Sequence, residues 1–157
     1  MSSKYKKIGC TANLTSKLAS DAFKNILKKY DLIDANNSHA NNCDVIIALG
    51  GDGFMLKVLH RHMKTGIPVY GMNRGSVGFL MNEYCPDKLL ERISKAKIYA
   101  LHPLEMTVET IDKKIKKALA VNEVSLLRET NQAAKIKIYI DNKIMLDTLV
   151  CDGILVA

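Results

Sequence analysis

The first hundred residues alternate between short apolar runs and segments whose apolar side chains recur at helical spacing. Apolar runs that predict strands occur at Ile8–Ala12, Val45–Leu49 and Ile67–Met72. Helical spacing occurs at Ser16–Tyr30, Phe54–Lys64 and Pro86–Lys97, where Ser16 is the expected N-cap and Pro86 the expected first residue. Since alternating strands and helices form parallel sheets, this part predicts a parallel α/β sheet, with a polar loop over residues 36–42.

The pattern changes near residue 100. Strand-like segments follow one another without intervening helices, at Glu105–Thr110, Lys117–Leu127, Ala134–Ile140 and Ile144–Ala157. Successive hairpins predict an antiparallel β unit. The expected fold class is therefore α/β, with a Rossmann-like parallel-sheet domain over residues 1–100 followed by the start of an antiparallel β domain over residues 101–157.

Composition is ordinary for a globular protein, and the charge adds one clue. The chain has 157 residues, 48% hydrophobic and 25% charged, and its N-terminus lacks the apolar segment of a secretory signal. No apolar run reaches the length of about 18 residues that would predict a membrane span. The net charge of +7 lies entirely in residues 1–100, which hold 15 basic and 8 acidic side chains. This excess indicates either an anionic partner such as a phosphate or a lysine-rich solvated surface, and the scarcity of aromatic residues argues against nucleic acid.

The four cysteines and four histidines form no metal-ligand pattern. No Cys-x-x-Cys pair occurs, and the cysteines lie too far apart in sequence to suggest a zinc site or a disulfide framework. The sequence therefore predicts reduced thiols in a cytoplasmic protein, without a metal held by protein side chains.

The most informative local pattern is Gly-Gly-Asp-Gly at residues 50–53, between a buried strand and a helix. In an open α/β sheet, ligands bind beyond the carboxyl ends of the strands. Gly51 and Gly53 would let backbone N–H groups approach phosphate oxygens at the helix N-terminus. The alternative is a tight turn in which Asp52 caps the helix. Because a cap needs only one acceptor, the glycines on both sides of the carboxylate favour the phosphate interpretation.

A second glycine-bearing loop, Asn73 to Leu80, follows the next predicted strand. It should lie beside the first loop if the two strands are neighbours, since the carboxyl ends of parallel strands share one edge of the sheet. Phe79 in this loop either stacks on a base or fills the core, and the core is the preferred interpretation for a single phenylalanine.

Two polar pairs interrupt apolar segments in the last forty residues. Asn122-Glu123 lies within the segment 118–127, and Asp152-Gly153 within the segment 150–157. Local mismatches of this kind tend to be functional. An amide next to a carboxylate can bind a ribose diol, since the amide both donates and accepts hydrogen bonds. The alternative is one solvent-facing residue and one structural hydrogen bond.

In their order and spacing, these four motifs resemble those of the bacterial NAD kinase family: Gly50-Gly51-Asp52-Gly53, Asn73-x-Gly75-x-x-Gly78-Phe79-Leu80, Asn122-Glu123 and Asp152-Gly153. The first motif alone is shared with diacylglycerol, sphingosine and phosphofructokinase-type kinases, but the four together are specific. The resemblance implies an N-terminal α/β domain, a C-terminal antiparallel β domain and an NAD site between them. It also implies transfer of a phosphoryl group from ATP or polyphosphate to the adenosine ribose 2′-hydroxyl of NAD, which makes NADP.

The resemblance further implies a role for individual residues. Asp52 would be the general base, and Gly51 and Gly53 would permit close approach of the substrate. In the second domain, Asn122 and Glu123 would hold NAD through ribose hydroxyls, and Asp152 would contact the nicotinamide end. Lys57, on the first turns of the helix that follows Asp52, would contact a phosphate. Mg²⁺ or another divalent cation would arrive on the nucleotide phosphates. Family members are usually cytoplasmic homo-oligomers, either dimers or tetramers.

The resemblance stops at Ala157, where the family continues into a Thr-Pro-Thr-Gly-Ser-Thr-Ala-Tyr-like segment. The chain is therefore expected to represent the first part of such an enzyme, to be inactive alone, and to self-associate through unpaired strand edges. Two alternatives remain: a lipid or sugar kinase that shares the Gly-Gly-Asp-Gly loop, and a catalytically incompetent NAD-binding fragment.

Overall fold

A computed structural model describes residues 4–36, 42–76 and 78–157. Most of the polar loop expected over residues 36–42, and Val77 of the second glycine loop, therefore lie outside the described residues. The chain divides into two compact units, Met1–Ala100 and Leu101–Ala157. The first unit contains, in chain order, β1 (Ile8–Ala12), α1 (Lys17–Lys29), β2 (Ile33–Asp34), β3 (Val45–Gly50), α2 (Asp52–His62), β4 (Val69–Asn73) and α3 (Leu89–Lys95).

The four strands that the structure describes in the first unit form one parallel sheet in the order β2-β1-β3-β4. β1 and β3 are the inner strands, and Ala12 at the end of β1 pairs with Leu49 near the end of β3. On the other side of β3, Gly50 pairs with Asn73 at the end of β4. The predicted parallel α/β sheet is thus confirmed, and the carboxyl ends of three strands lie side by side.

Alternate residues of β3 pack into two separate buried clusters. Val45, Ile47 and Leu49 pack with side chains of α1 and α3, whereas Ile46 and Ala48 pack with side chains of α2. Helices therefore cover both faces of the sheet. This explains the continuous apolar run of β3, because a strand buried on both faces has no polar side to alternate with.

The sequence predicts the first residues of two helices, α1 and α3, and the structure confirms only the first of these predictions. Ser16 caps α1 as expected, since its hydroxyl accepts a hydrogen bond from the Ala19 N–H at 3.4 Å. The expected start of α3 at Pro86 is wrong, because α3 begins at Leu89. The Pro86 carbonyl instead accepts a hydrogen bond from the Tyr30 hydroxyl at 2.6 Å, and Lys88 adopts a left-handed conformation before the helix. A tertiary contact thus keeps Pro86 outside the helix.

His62, in the last turn of α2, is a buried titratable group. The residue is 4% exposed, and no hydrogen-bond partner for its Nδ1 atom lies among the described residues. Burial, with a smaller contribution from the adjacent Arg61, lowers the pKa of His62 below its ordinary value of 6.5. The folded unit therefore favours the neutral ring.

We expect the chain to lose stability as the pH falls below about 6.5, because the unfolded state binds a proton at His62 before the folded state does. The contribution of neutral His62 to the free energy of unfolding is fully present above that pH, and it is lost as the pH falls toward the lower pKa of the folded state. Urea unfolding midpoints measured across this range test the expectation. His62→Leu should show a weaker acid destabilisation than the native chain. His60→Leu, an exposed position on the same helix, should keep the native pH dependence, and equal slopes in all three proteins would exclude His62 as the cause.

The second unit consists of three antiparallel strand pairs. Its strands are β5 (Leu104–Glu109), β6 (Ile115–Ala120), β7 (Val124–Leu127), β8 (Ala134–Ile140), β9 (Lys143–Cys151) and β10 (Gly153–Val156). β5 pairs with β6, β8 with β9, and β7 with β10. The two predicted hairpins are confirmed. The continuous strands expected over 117–127 and 144–157 are wrong, since they are interrupted at residues 121–123 and at Asp152.

The strand pairs of the second unit carry apolar side chains that nothing covers within residues 101–157. No residue of this unit is buried, and large exposed side chains include Ile115, Tyr139, Val150 and Leu155. A two-stranded pair without a packed face is marginally stable in water. The second unit therefore needs further protein surface to complete a core.

Candidate active site

The Gly-Gly-Asp-Gly loop joins the central strand β3 to helix α2. β3 ends at Gly50, Gly51 is the N-cap, and Asp52 is the first helical residue. The Gly51 carbonyl accepts hydrogen bonds from the Phe54 and Met55 N–H groups at 3.0 Å each. The N–H groups of Asp52 and Gly53 have no acceptor in the described parts of the chain, and no side chain caps the helix. The alternative in which Asp52 caps the helix is therefore wrong, and two backbone donors are left for a ligand.

The Asp52 carboxylate connects the two glycine loops. Its Oδ2 accepts a hydrogen bond from the Phe79 N–H at 2.7 Å, and its Oδ1 accepts one from the Leu80 N–H at 3.1 Å. Gly78 makes this approach possible, because a Cβ atom at that position would lie 2.7 Å from Cγ of Asp52. Each carboxylate oxygen keeps one lone-pair direction for another donor. The side chain is thus oriented by the backbone and still able to accept a proton.

The second glycine loop lies against the first, as the neighbouring strands predict. The Arg74 N–H donates to the Gly50 carbonyl at 2.7 Å. A Cβ atom on Gly75 would lie 3.3 Å from the Gly51 Cα, so the two backbones approach closely. The Asn73 side chain fixes the turn itself, accepting from the Gly75 N–H and donating to the Ser76 carbonyl at 2.8 Å each. Both loops therefore form one continuous wall.

A cleft of about 500 Å³ opens at this wall. Four predicted site residues line it: Gly51, Asp52, Gly53 and Lys57. Four further residues also line it, namely Asn13, Phe54, Gly75 and Ser76. Asn13 follows β1 and carries no motif that would single it out in sequence. It joins the site only because β1 and β3 are neighbours in the sheet.

Phe79 does not line the cleft, although its backbone N–H binds Asp52. Phe79 is 99% exposed, so the expectation that it fills the core is wrong. The glycine-rich loop turns its side chain away from the apolar clusters of the first unit. The exposed ring is available for stacking on a base.

The remaining predicted site residues belong to the second unit. Asn122 and Glu123 lie in the bend between β6 and β7, both exposed, and the Asn122 amide donates to the Glu123 carboxylate. Asp152 lies between β9 and β10 and pairs with Arg128, whose Nε is 2.5 Å from Oδ1. Because β7 and β10 are antiparallel, Glu123 and Asp152 lie at opposite ends of one strand pair. No local pattern in the sequence singles out Arg128 as the partner of Asp152.

The described residues include no preformed metal cage. Within residues 4–36, 42–76 and 78–157, no group of three or more His, Cys, Asp or Glu side chains could hold a metal ion. No helix in these ranges is long and apolar enough to cross a bilayer.

Comparison with known proteins identifies the family. The model of the ATP-NAD kinase N-terminal domain matches residues 1–99 of the chain. The chain belongs to the NAD kinase family. Its similarity to the NAD kinase of Caulobacter vibrioides is 57% identity over 116 residues, which is 74% of this chain and 45% of that protein. The NAD kinase of Brucella suis is 51% identical over 136 residues, or 87% of this chain and 51% of that protein. The chain thus spans about half the length of these NAD kinases.

A solved structure supports the fold. The crystal structure of an NAD kinase from Archaeoglobus fulgidus in complex with ATP matches 96% of this chain and 59% of that chain, with a TM-score of 0.64 and 22% sequence identity. The α/β fold class is therefore shared with a known NAD kinase.

Proposed function

We propose that the protein to which this chain belongs transfers a phosphoryl group from ATP or polyphosphate to the adenosine ribose 2′-hydroxyl of NAD, with Asp52 as the general base. The observation that carries this proposal is the Asp52 carboxylate, held by two backbone N–H groups at the wall of a 500 Å³ cleft. A positioned carboxylate within reach of a hydroxyl proton is what direct phosphoryl transfer requires of the protein.

In this reaction the ribose oxygen forms a bond to the terminal phosphorus of the donor as its proton passes to Asp52. The bond from that phosphorus to the leaving oxygen breaks, and ADP or the shortened polyphosphate departs with the electron pair. The N–H groups of Asp52 and Gly53, which lack acceptors within the described residues, can donate to phosphate oxygens that carry charge in the transition state. The proton then leaves Asp52 for solvent.

The other predicted residues take supporting roles in this proposal. Asn122 and Glu123 bind ribose hydroxyls through an amide and a carboxylate that already contact each other. Asp152 contacts the nicotinamide end, and binding there exchanges part of its ion pair with Arg128 for a ligand contact. Phe79 supplies an exposed ring for base stacking.

The site fits a divalent cation that is coordinated mainly by the phosphates of the donor. Among the described residues that line the cleft, Asp52 is the only carboxylate, and Mg²⁺ is usually held by one or two carboxylates together with substrate phosphates. Mg²⁺ would neutralise charge on the transferring phosphoryl group. The proposal also includes a cytoplasmic homo-oligomer, either a dimer or a tetramer.

The activity can be tested by joining this chain to the part of the Brucella suis NAD kinase that lies beyond the shared region. We expect the fusion to make NADP from NAD with ATP or polyphosphate and Mg²⁺, and the 157-residue chain alone to be far slower. NADP formation is followed with an NADP-specific dehydrogenase.

Two controls make this test decisive. The isolated Brucella suis segment should be inactive, which assigns the activity to the fusion, and the intact Brucella suis protein verifies the assay. A folded fusion that phosphorylated a sugar or a lipid but not NAD would contradict the proposal.

A further inference from the structure

The topology of the first unit adds to the cleft a side that the four sequence motifs do not include. The strand order β2-β1-β3-β4 means that the chain leaves β1 toward one edge of the sheet and leaves β3 toward the other. Side chains of α1, which follows β1, and of α2, which follows β3, belong to separate buried clusters. In sheets of this kind, ligands bind at the point where the strand order reverses. That point lies between Asn13, after β1, and the Gly51–Gly53 loop, after β3.

Asn13 is held in a defined orientation at this point. Its backbone N–H donates to the Leu49 carbonyl at 2.9 Å, which fixes the end of β1 against β3. Its side-chain Oδ1 accepts a hydrogen bond from the Thr15 hydroxyl at 2.8 Å. The other end of the amide, Nδ2, has no acceptor in the described parts of the chain, although the residue lines the cleft. Because the oxygen is occupied, the amide presents a donor.

The rest of the cleft offers further hydrogen-bond donors. Lys57 forms no ion pair with any described residue, and the Ser76 hydroxyl donates no hydrogen bond to them. The N–H groups of Asp52 and Gly53 at the start of the 11-residue helix α2 are also free to donate. Beside the Asp52 carboxylate, the cleft therefore offers one cation, two neutral side-chain donors and a helix N-terminus. These donors together favour a polyanion with several oxygen acceptors.

We propose that Asn13 and Ser76, together with Lys57, bind the terminal phosphates of the phosphoryl donor. This inference rests on the proposed function, since it assigns the cleft beside Asp52 to the donor rather than to NAD. Asn13 contributes its Nδ2 donor, and Thr15 acts as a positioning residue that keeps the amide oxygen away from the phosphate. The same hydrogen-bond donors could also bind the diphosphate of NAD. The test therefore distinguishes the phosphates of the phosphoryl donor from those of NAD.

Inorganic tripolyphosphate is the probe for the donor phosphates, and its binding to the 157-residue chain is measured by calorimetry in the presence of EDTA. Asn13→Asp keeps the size of the side chain and replaces the donor by a carboxylate. We expect this variant to bind tripolyphosphate about 10- to 100-fold more weakly, the range for a hydrogen bond to a charged group. Lys57→Gln should weaken binding about 10-fold, and Thr15→Val should weaken it by a smaller factor.

The matched controls carry the same chemical changes elsewhere in the first unit. Asn25→Asp on α1 and Lys64→Gln after α2 alter exposed side chains and should bind tripolyphosphate as the native chain does. Equal weakening in Asn25→Asp and Asn13→Asp would show a general effect of charge and overturn the proposal. Unchanged binding in Asn13→Asp would overturn it as well.

A second titration with NAD distinguishes this inference from the proposed function. We expect NAD affinity to be the same in Asn13→Asp and the native chain. If Asn13→Asp weakens NAD binding and leaves tripolyphosphate binding unchanged, the cleft belongs to the acceptor and the donor assignment is wrong. If the Asn13 effect on tripolyphosphate holds while the active fusion makes no NADP, the phosphate site stands and the proposed function fails.

Discussion

Replacing Asp52 with asparagine is expected to lower the NADP-forming turnover proposed for the fusion with the Brucella suis segment by about 10²–10⁴, the usual loss when a positioned general base is removed. Asparagine keeps the size of the side chain, and its oxygen can still accept one of the N–H groups of Phe79 and Leu80 that now bind the carboxylate. The fold and most of the NAD affinity should therefore survive. Steady-state kinetics and NAD titration of the same preparation measure both quantities.

Asp44 provides a matched control for this substitution. Its carboxylate also accepts two backbone N–H groups, from Lys7 at 2.8 Å and from Lys6 at 2.7 Å, and these bonds lower the pKa of Asp44. Asp44 lies before β3, whereas the cleft lies after it. Asp44→Asn should therefore affect stability and leave turnover nearly native. Comparable losses of turnover in both variants would mean that Asp52 acts only by connecting the two loops.

Gly78→Ala is expected to lower turnover by about 100-fold although it replaces no proposed reacting group, since a small misplacement of catalytic atoms has an effect of this size. The added Cβ would lie 2.7 Å from Cγ and 2.8 Å from Oδ2 of Asp52. Either the carboxylate or the Phe79-Leu80 backbone must move, and both movements break the hydrogen bonds that orient Asp52. The measurement is turnover in the fusion, with circular dichroism to verify the fold.

A double variant shows whether Gly78 acts through Asp52. Two residues that act as one unit are not additive, so Gly78→Ala combined with Asp52→Asn should be no slower than Asp52→Asn alone. Gly71→Ala controls for crowding, because its added Cβ would lie 2.5 Å from Sδ of the flexible Met81. We expect it to reduce stability and to retain turnover. Additive losses in the double variant would place the effect of Gly78 elsewhere.

Sequence reasoning succeeds where local pattern and burial agree. The run 45–49 is apolar because β3 is buried on both faces, and Ser16 signals a helix start through its own hydrogen bond to Ala19. β2, which comprises only Ile33 and Asp34, gave no signal because two residues show no periodicity. Its existence depends on pairing with β1.

Some residues of the candidate site could likewise be predicted from local sequence patterns, whereas others depend on the tertiary structure. The glycine loops could be predicted as neighbours because they end neighbouring strands, and the structure joins them through Asp52. Asn13 could not be predicted, since a lone asparagine after a strand becomes informative only when the strand order is known. The pairing of Asp152 with Arg128 depends on a strand pair between distant parts of the sequence, which no local pattern reveals.

The order of elements along the chain bears on how the protein is made. Every strand and helix described in the first unit comes from residues 8–95, before the second unit begins at Leu101. Units near the N-terminus generally fold first during translation, which proceeds at about 5–20 residues per second. β1 emerges from the ribosome early but lies between β2 and β3, so one of its two edges stays unpaired until β3 has been synthesised. The cleft around Asp52 can form co-translationally once Leu80 has been synthesised, because its wall includes residues that follow β4. It can therefore form before the apolar strands of the second unit are available to pair wrongly with the sheet edges.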